Sequence, residues 1–158
     1  MDRKAYLENL PKKRMAAGCL FRNEENQVLI VKPSYKPNWE TPGGITEENE
    51  SPRVCAAREV LEELKLELEI GRLLVVDYNN PFEDYSESLM WVFDGGILNP
   101  EQISSIQLPA SELEEFRFVA LSELPEFVHP RMARRLEQAF KAILNHQTLY
   151  TENQVPPV

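Results

Sequence analysis

The chain has 158 residues, 42% of them hydrophobic, and carries 26 acidic against 17 basic side chains for a formal net charge of −9. That length suits one domain with a substantial core and leaves too little for two ordinary ones. The acidic surplus argues against RNA, DNA or other polyanions held by bulk electrostatics, although the field of the whole chain does not decide a local site.

No apolar run approaches the roughly 20 residues of a membrane span. The opening MDRKAYLENLPKKR has no apolar signal core. A cytoplasmic protein without membrane or nucleic-acid partners is therefore expected. Cys19 and Cys55 fall in segments that read as strand and helix, and no histidine adjoins Cys55 in sequence. Both suit small buried hydrophobes in a reduced compartment better than a disulfide pair or a nucleophile.

In chain order, the basic lead-in Pro11-Lys12-Lys13-Arg14 precedes two apolar runs, Met15 to Phe21 and Gln27 to Lys32. The polar Arg22 to Asn26 between them predicts a hairpin. Prolines make 33–38 a loop. Trp39-Glu40-Thr41 then leads into Pro42-Gly43-Gly44, whose glycines allow positive φ and close approach of backbone to a ligand. Ser51-Pro52 predicts a helix start, with Ser51 as N-cap and Pro52 in the first turn. On that helix Val54, Ala57, Leu61 and Leu64 form the expected packing stripe.

Strand patterns follow within Leu66–Tyr78, interrupted by Gly71, and over Ser88–Leu98. Asn99 to Glu114 reads as a long irregular loop of functional type. Glu115 to Ala120 alternates as a strand does. Pro130 opens a terminal helix to about Asn145, with Met132, Leu136, Ala139, Phe140, Ile143 and Leu144 as its stripe. Residues 1–150 are read as one domain and 151–158 as a tail, mobile unless it docks on another subunit. Strands flanking a central helix, with a second helix closing the chain, predict a mixed sheet covered on both faces.

Chemistry concentrates in GITEENESPRVCAAREVLEELKL, residues 44–66. Glu59, Glu62 and Glu63 stand at i, i+3 and i+4 and so share a helix face, where like charges repel. A hard divalent cation compensates such a face, since Mg²⁺ prefers carboxylate oxygens and substrate phosphates. A solvated acidic helix face would explain the glutamates alone. It would not explain their company: Pro42-Gly43-Gly44 ahead, Glu50 between, and Arg58 beside Glu59.

The segment resembles the Nudix box: Gly44, five residues, Glu50, seven residues, then Arg58-Glu59-Val60-Leu61-Glu62-Glu63-Leu64 and the aliphatic Leu66. The single departure is Lys65, where the box has glycine. The resemblance implies an α/β/α sandwich and a Mg²⁺-dependent pyrophosphohydrolase, with Mn²⁺ as an alternative ion. It implies Glu62 and Glu63 as principal metal ligands, Glu59 as third ligand or as base, and the carbonyl of Gly43 or Gly44 as a further ligand. Arg58 and Glu50 take the role of orienting supports. An added glutamate from a distant loop is expected among Glu112, Glu114 and Glu115, with Glu115 preferred because it lies nearest the strand. Lys65 in a left-handed cap would cost about 1 kcal/mol, and altered helix termination with retained catalysis is expected.

The substrate reading is a nucleoside diphosphate linked to another moiety, of ADP-ribose or nucleotide-sugar type. The alternatives are a triphosphate pyrophosphatase and a non-catalytic metabolite-sensing domain, and the intact carboxylates place sensing last. Pro81 matches a position often proline in ADP-ribose-hydrolysing members, but Asn79-Asn80-Pro81 is also an ordinary turn. Tyr35 and Trp39 are candidate base stackers, with core packing equally open to Trp39. Lys32, Lys36 and Arg117 are candidate phosphate contacts. The resemblance also admits a homodimer that uses the segment after Tyr150.

Overall fold

A computed structural model describes residues 2–157. After a short helix α1 (Arg3–Glu8), strands β1 (Arg14–Arg22) and β2 (Val28–Pro33) form the expected hairpin, closed by Asn26 at φ 63° and by the Asn23 side chain accepting from the Gln27 N–H at 2.8 Å. The chain continues through β3 (Gly43–Ile45), α2 (Pro52–Leu64), β4 (Leu73–Asn79), β5 (Ser88–Ile97), α3 (Pro100–Ser104), β6 (Leu113–Val119), a 3₁₀ turn (Leu121–Glu126), α4 (Pro130–Leu144) and β7 (Leu149–Glu152). The sheet runs β6-β2-β1-β5-β4-β7, with β3 added against β1. Pairs β1·β5 and β4·β7 are parallel and the others antiparallel, so the sheet is mixed.

Alternation along the strands sends Cys19, Phe21, Leu29 and Val31 to a core shared with α2, and Leu20, Val28, Ile30 and Leu74 to a second core under α4 and the 3₁₀ turn. The result is the expected three-layer α/β/α arrangement. Burial drives the thiol of Cys19 up to about 12 and that of Cys55 to about 11, as suits inert packing residues.

Ser51 caps α2, its hydroxyl accepting from the Val54 N–H at 3.2 Å. The packing stripe of this helix differs from the expected one. Val54 and Leu61 are 57% and 47% exposed, whereas Cys55, Ala56, Val60, Glu63 and Leu64 are buried. Two small residues at the start let the helix lie close to the sheet, and that turns Glu63 inward and Val54 and Leu61 out. Lys65 takes φ 58°, ψ 31°, and its N–H donates to the Leu61 carbonyl at 3.0 Å. The helix therefore ends in the left-handed cap that glycine would make, and the expected altered termination does not occur.

Two further expectations are corrected. The supposed loop after Asn99 begins with α3, closed by a reciprocal cap between Asn99 and Gln102. In α4, Leu144 is 65% exposed and Met132 and Ile143 only half-buried, while Ala133 and Ala142 are buried. At the chain end β7 runs through residue 150. There β7 pairs with β4, and Thr151 and Gln154 are buried.

Candidate active site

Strand β3 brings the glycine turn onto β1, with Gly43 opposite Gly18 and Gly44 opposite Ala17. Gly43 has φ 157°, and a side chain there would strike the backbone of Ala17 and Gly18. At Gly44 an added Cβ would collide with the Glu59 carboxylate. The turn thus lies against the acidic residues of α2 with no side chain between them. The Cys55 thiol donates to the Gly44 carbonyl at 3.4 Å, and the Gly43 N–H donates to Glu63 Oε1 at 3.3 Å.

Arg58 organises the cluster. Its Nε and Nη2 grip the two oxygens of Glu50 at 2.7 and 2.9 Å, a bidentate pair, while Nη1 reaches Glu59 at 3.0 Å and Glu62 at 3.3 Å. The Arg58 hydrogen bonds hold the Glu50 carboxyl down at about 2, and Glu50 and Glu59 raise the guanidinium in turn. Glu63 lies at the opposite extreme. Burial, then contact with Glu59, pushes its carboxyl up to about 9, with nearby Glu40 adding and the Gly43 N–H opposing.

The structure thus brings Glu59, Glu62, Glu63, Gly43, Gly44, Arg58 and Glu50 together. Glu115 stands apart: it pairs across the sheet with Lys32 and binds Arg117 at 2.9 Å, with no hydrogen bond to the α2 acids among the described residues. Glu59 and Glu62 lean on Arg58, and among the described residues no three acidic, His or Cys side chains form a ready metal cage. The donor chemistry nonetheless fits a hard divalent cation. It offers carboxylate oxygens, an exposed glycine backbone, and a buried carboxyl beside a second one, the arrangement a cation neutralises. Glu62 is 53% exposed at its side chain, so it can turn from Arg58 at little cost.

Other candidates resolve differently. Trp39 packs edge-on against Phe127 with Arg117 over its ring, which makes it a packing residue, and Tyr35 is exposed under Lys36. Lys32 donates to the carbonyls of Pro33 and Lys36, tying its own loop, while Lys36 binds Glu40 at 2.8 Å. Sequence reasoning missed a cavity of about 260 Å³ beside Glu40, whose lining includes Arg14, Phe82, Tyr85, His129 and Arg131. Pro81 lies between two of its lining residues, Asn80 and Phe82. The lining converges from four separate segments, and its local signals were the basic lead-in ending at Arg14 and the Asn79-Asn80-Pro81 turn.

Over 69 residues the chain is 44% identical to diphosphoinositol polyphosphate phosphohydrolase 2 of Rattus norvegicus, covering 43% of this chain and 38% of that protein. The match thus spans less than half the length of that relative. A MutT protein from Methanosarcina mazei Go1 has a similar structure at TM-score 0.68 and 23% identity, over 89% of this chain and 100% of that one. The NUDIX domain of Shewanella oneidensis NrtR, crystallised with ADP ribose, gives TM-score 0.69 at 18% identity, over 90% of this chain and 99% of that one. These likenesses are of fold. The NUDIX domain model matches residues 12–141, most of the chain and all of the carboxylate cluster, and this protein belongs to the Nudix family.

Proposed function

We propose that the chain is a metal-dependent pyrophosphohydrolase that cleaves a nucleoside diphosphate linked to another moiety, of ADP-ribose or nucleotide-sugar type. The observation that carries the reading is Glu63, buried beside Glu59 beneath a side-chain-free glycine turn. Glu59, Glu62 and Glu63, with a carbonyl of Gly43 or Gly44, would hold Mg²⁺ or Mn²⁺. When bound, the ion supplies positive charge against the diphosphate oxygens and makes a water easier to deprotonate.

The chain's own residues do the rest. Arg58, clamped by Glu50, fixes the rotamers of Glu59 and limits the repulsion along the helix. Glu59 is assigned to accept the proton of the attacking water. That water adds to one phosphorus in line, the bridging P–O bond breaks, and the second phosphate leaves with its substituent. Glu115, whose carboxylate is paired with Arg117, is given no part in the step. The two free buried cysteines suit a cytoplasmic setting.

The test is phosphate-ester product analysis of ADP-ribose, nucleotide sugars, dinucleoside polyphosphates and nucleoside triphosphates with Mg²⁺ or Mn²⁺. Hydrolysis of the first two classes is expected. Turnover confined to triphosphates, or none that depends on the ion, would overturn the reading.

A further inference from the structure

The cavity beside Glu40 carries more positive charge than its surroundings neutralise. Three guanidiniums line it, those of Arg14, Arg131 and Arg135. Arg135 is matched, its Nε bound to buried Asp77 at 2.9 Å. Among the described residues, neither Arg14 nor Arg131 has a carboxylate within salt-bridge distance. The acid in the lining is Glu40, and its Oε1 is held by Lys36 at 2.8 Å. In a chain of net charge −9, two half-buried guanidiniums without a counter-charge in one cavity are a built feature, not average surface.

Both arginines are also held in place. Arg131 lies over the Phe82 ring at 4.7 Å and donates from Nη2 to Asn79 Oδ1 at 2.9 Å. Arg14 lies over the Tyr85 ring at 5.2 Å and donates from Nη2 to the Ser86 carbonyl at 3.1 Å. The two rings sit at the ends of one tight turn, closed by reciprocal bonds between Phe82 and Tyr85 at 3.1 and 2.9 Å. Each ring thus has one face covered by a cation, and the rings brace the two arginines. Each guanidinium has five N–H donors, so most remain for a ligand.

We propose that this cavity binds a phosphate monoester that the substrate carries beyond its scissile diphosphate, with Arg14 and Arg131 as its two cationic walls. The inference rests on the hydrolase reading and names the feature that selects the substrate. At about 260 Å³ the cavity suits one substituent and is small for a whole nucleotide. Glu40 lies in its wall, two residues ahead of the Pro42-Gly43-Gly44 turn whose Gly43 N–H donates to Glu63, which places the cavity beside the acidic site. Planar guanidiniums suit phosphate, which accepts paired N–H bonds.

The phosphate could belong to a nucleotide or to a phosphorylated cyclitol, and the experiment separates them. KM and kcat are measured for ADP-ribose, for its 2′-phosphate and for a diphosphoinositol polyphosphate, with wild type, Arg14→Met and Arg131→Met. At least one phosphorylated substrate should have a KM about tenfold below that of ADP-ribose, the gain expected of a charge-assisted pair. Each variant should abolish that advantage, leave kcat within about twofold, and leave ADP-ribose unchanged. Arg14 lies away from α4, so its variant keeps the test valid if Arg131→Met lowers the melting temperature. Calorimetric titration of the same compounds without metal gives a readout independent of turnover. Binding that favours the phosphorylated compound and is lost in Arg14→Met supports the cavity even if nothing is hydrolysed, which would sink only the hydrolase reading. Equal affinities, or variants that weaken all three compounds alike, overturn the proposal.

Discussion

On α2, one guanidinium, Arg58, serves Glu50, Glu59, Glu62 and more distantly Glu47, and Glu63 is buried with none. Between β4 and α4 the proportions are reversed. There a single buried carboxylate, Asp77, accepts from Thr151 at 2.6 Å, from the Gln154 backbone at 2.9 Å, from the Gln154 amide at 3.1 Å and from Arg135 at 2.9 Å. Asn79 extends that network by accepting from Gln154, Arg135 and Arg131. A charge with every lone pair answered holds structure together. A surplus of one sign, held at close quarters by the fold, is an arrangement that gains from a ligand of the other sign. The comparison separates a scaffold from a site even though both are buried and ionic.

The largest expected effect breaks the acidic side of that comparison. Glu63→Gln or Glu62→Gln should lower ion-dependent hydrolysis by on the order of 10³-fold. The circular dichroism spectrum should not change. Retained turnover in both would remove them from the site.

Asp77→Ala tests the saturated side. It strands the Arg135 charge in the core and should cost about 3–5 kcal/mol in a urea titration. A cost below about 1 kcal/mol would mean that the network is not structural. Burial opposes the charged Asp77, but the Thr151 hydrogen bond, the Arg135 charge and Gln154 outweigh it and hold its carboxyl below the ordinary 3.8. Its contribution is therefore complete above about pH 4 and fades as the pH falls through the lowered value. Asp77→Asn should flatten the acid limb of a stability–pH curve, and an unchanged limb would contradict this.

Arg58→Met should reduce activity about 10- to 100-fold, since it frees Glu50 and Glu59 without removing a ligand. A loss as large as that of Glu63→Gln would promote Arg58 from support to reactant. The smallest effect is at Lys65. Replacement by glycine relieves a left-handed non-glycine residue and should add about 1 kcal/mol. That corresponds to roughly 2–4 °C in Tm, with the rate within a few-fold.

Much of the acidic site could be read before folding because it is nearly contiguous. Arg58, Glu59 and Glu62 lie within about two turns of α2, where helical periodicity relates them wherever the helix packs, and Glu50 stands just ahead of its cap. What periodicity cannot supply is the phase of that helix against the sheet. Val54 and Leu61 made a plausible inner stripe, yet Cys55 and Ala56 face the core and Glu63 turns in with them. The difference is about one residue of rotation. It turns a solvated carboxylate into a buried one.

The chain by itself determined the hairpin, the central and terminal helices, and the chemistry of a carboxylate face beside a glycine turn. Each depends on residues close in sequence, whose relations local geometry sets. Only the tertiary structure decided which α2 acid is desolvated, that the last residues complete the sheet at β7, and that Arg14, Asn79, Phe82 and Arg131 meet in one cavity. Those depend on contacts between distant segments, where burial and the local field, not spacing, set the energy of a charge.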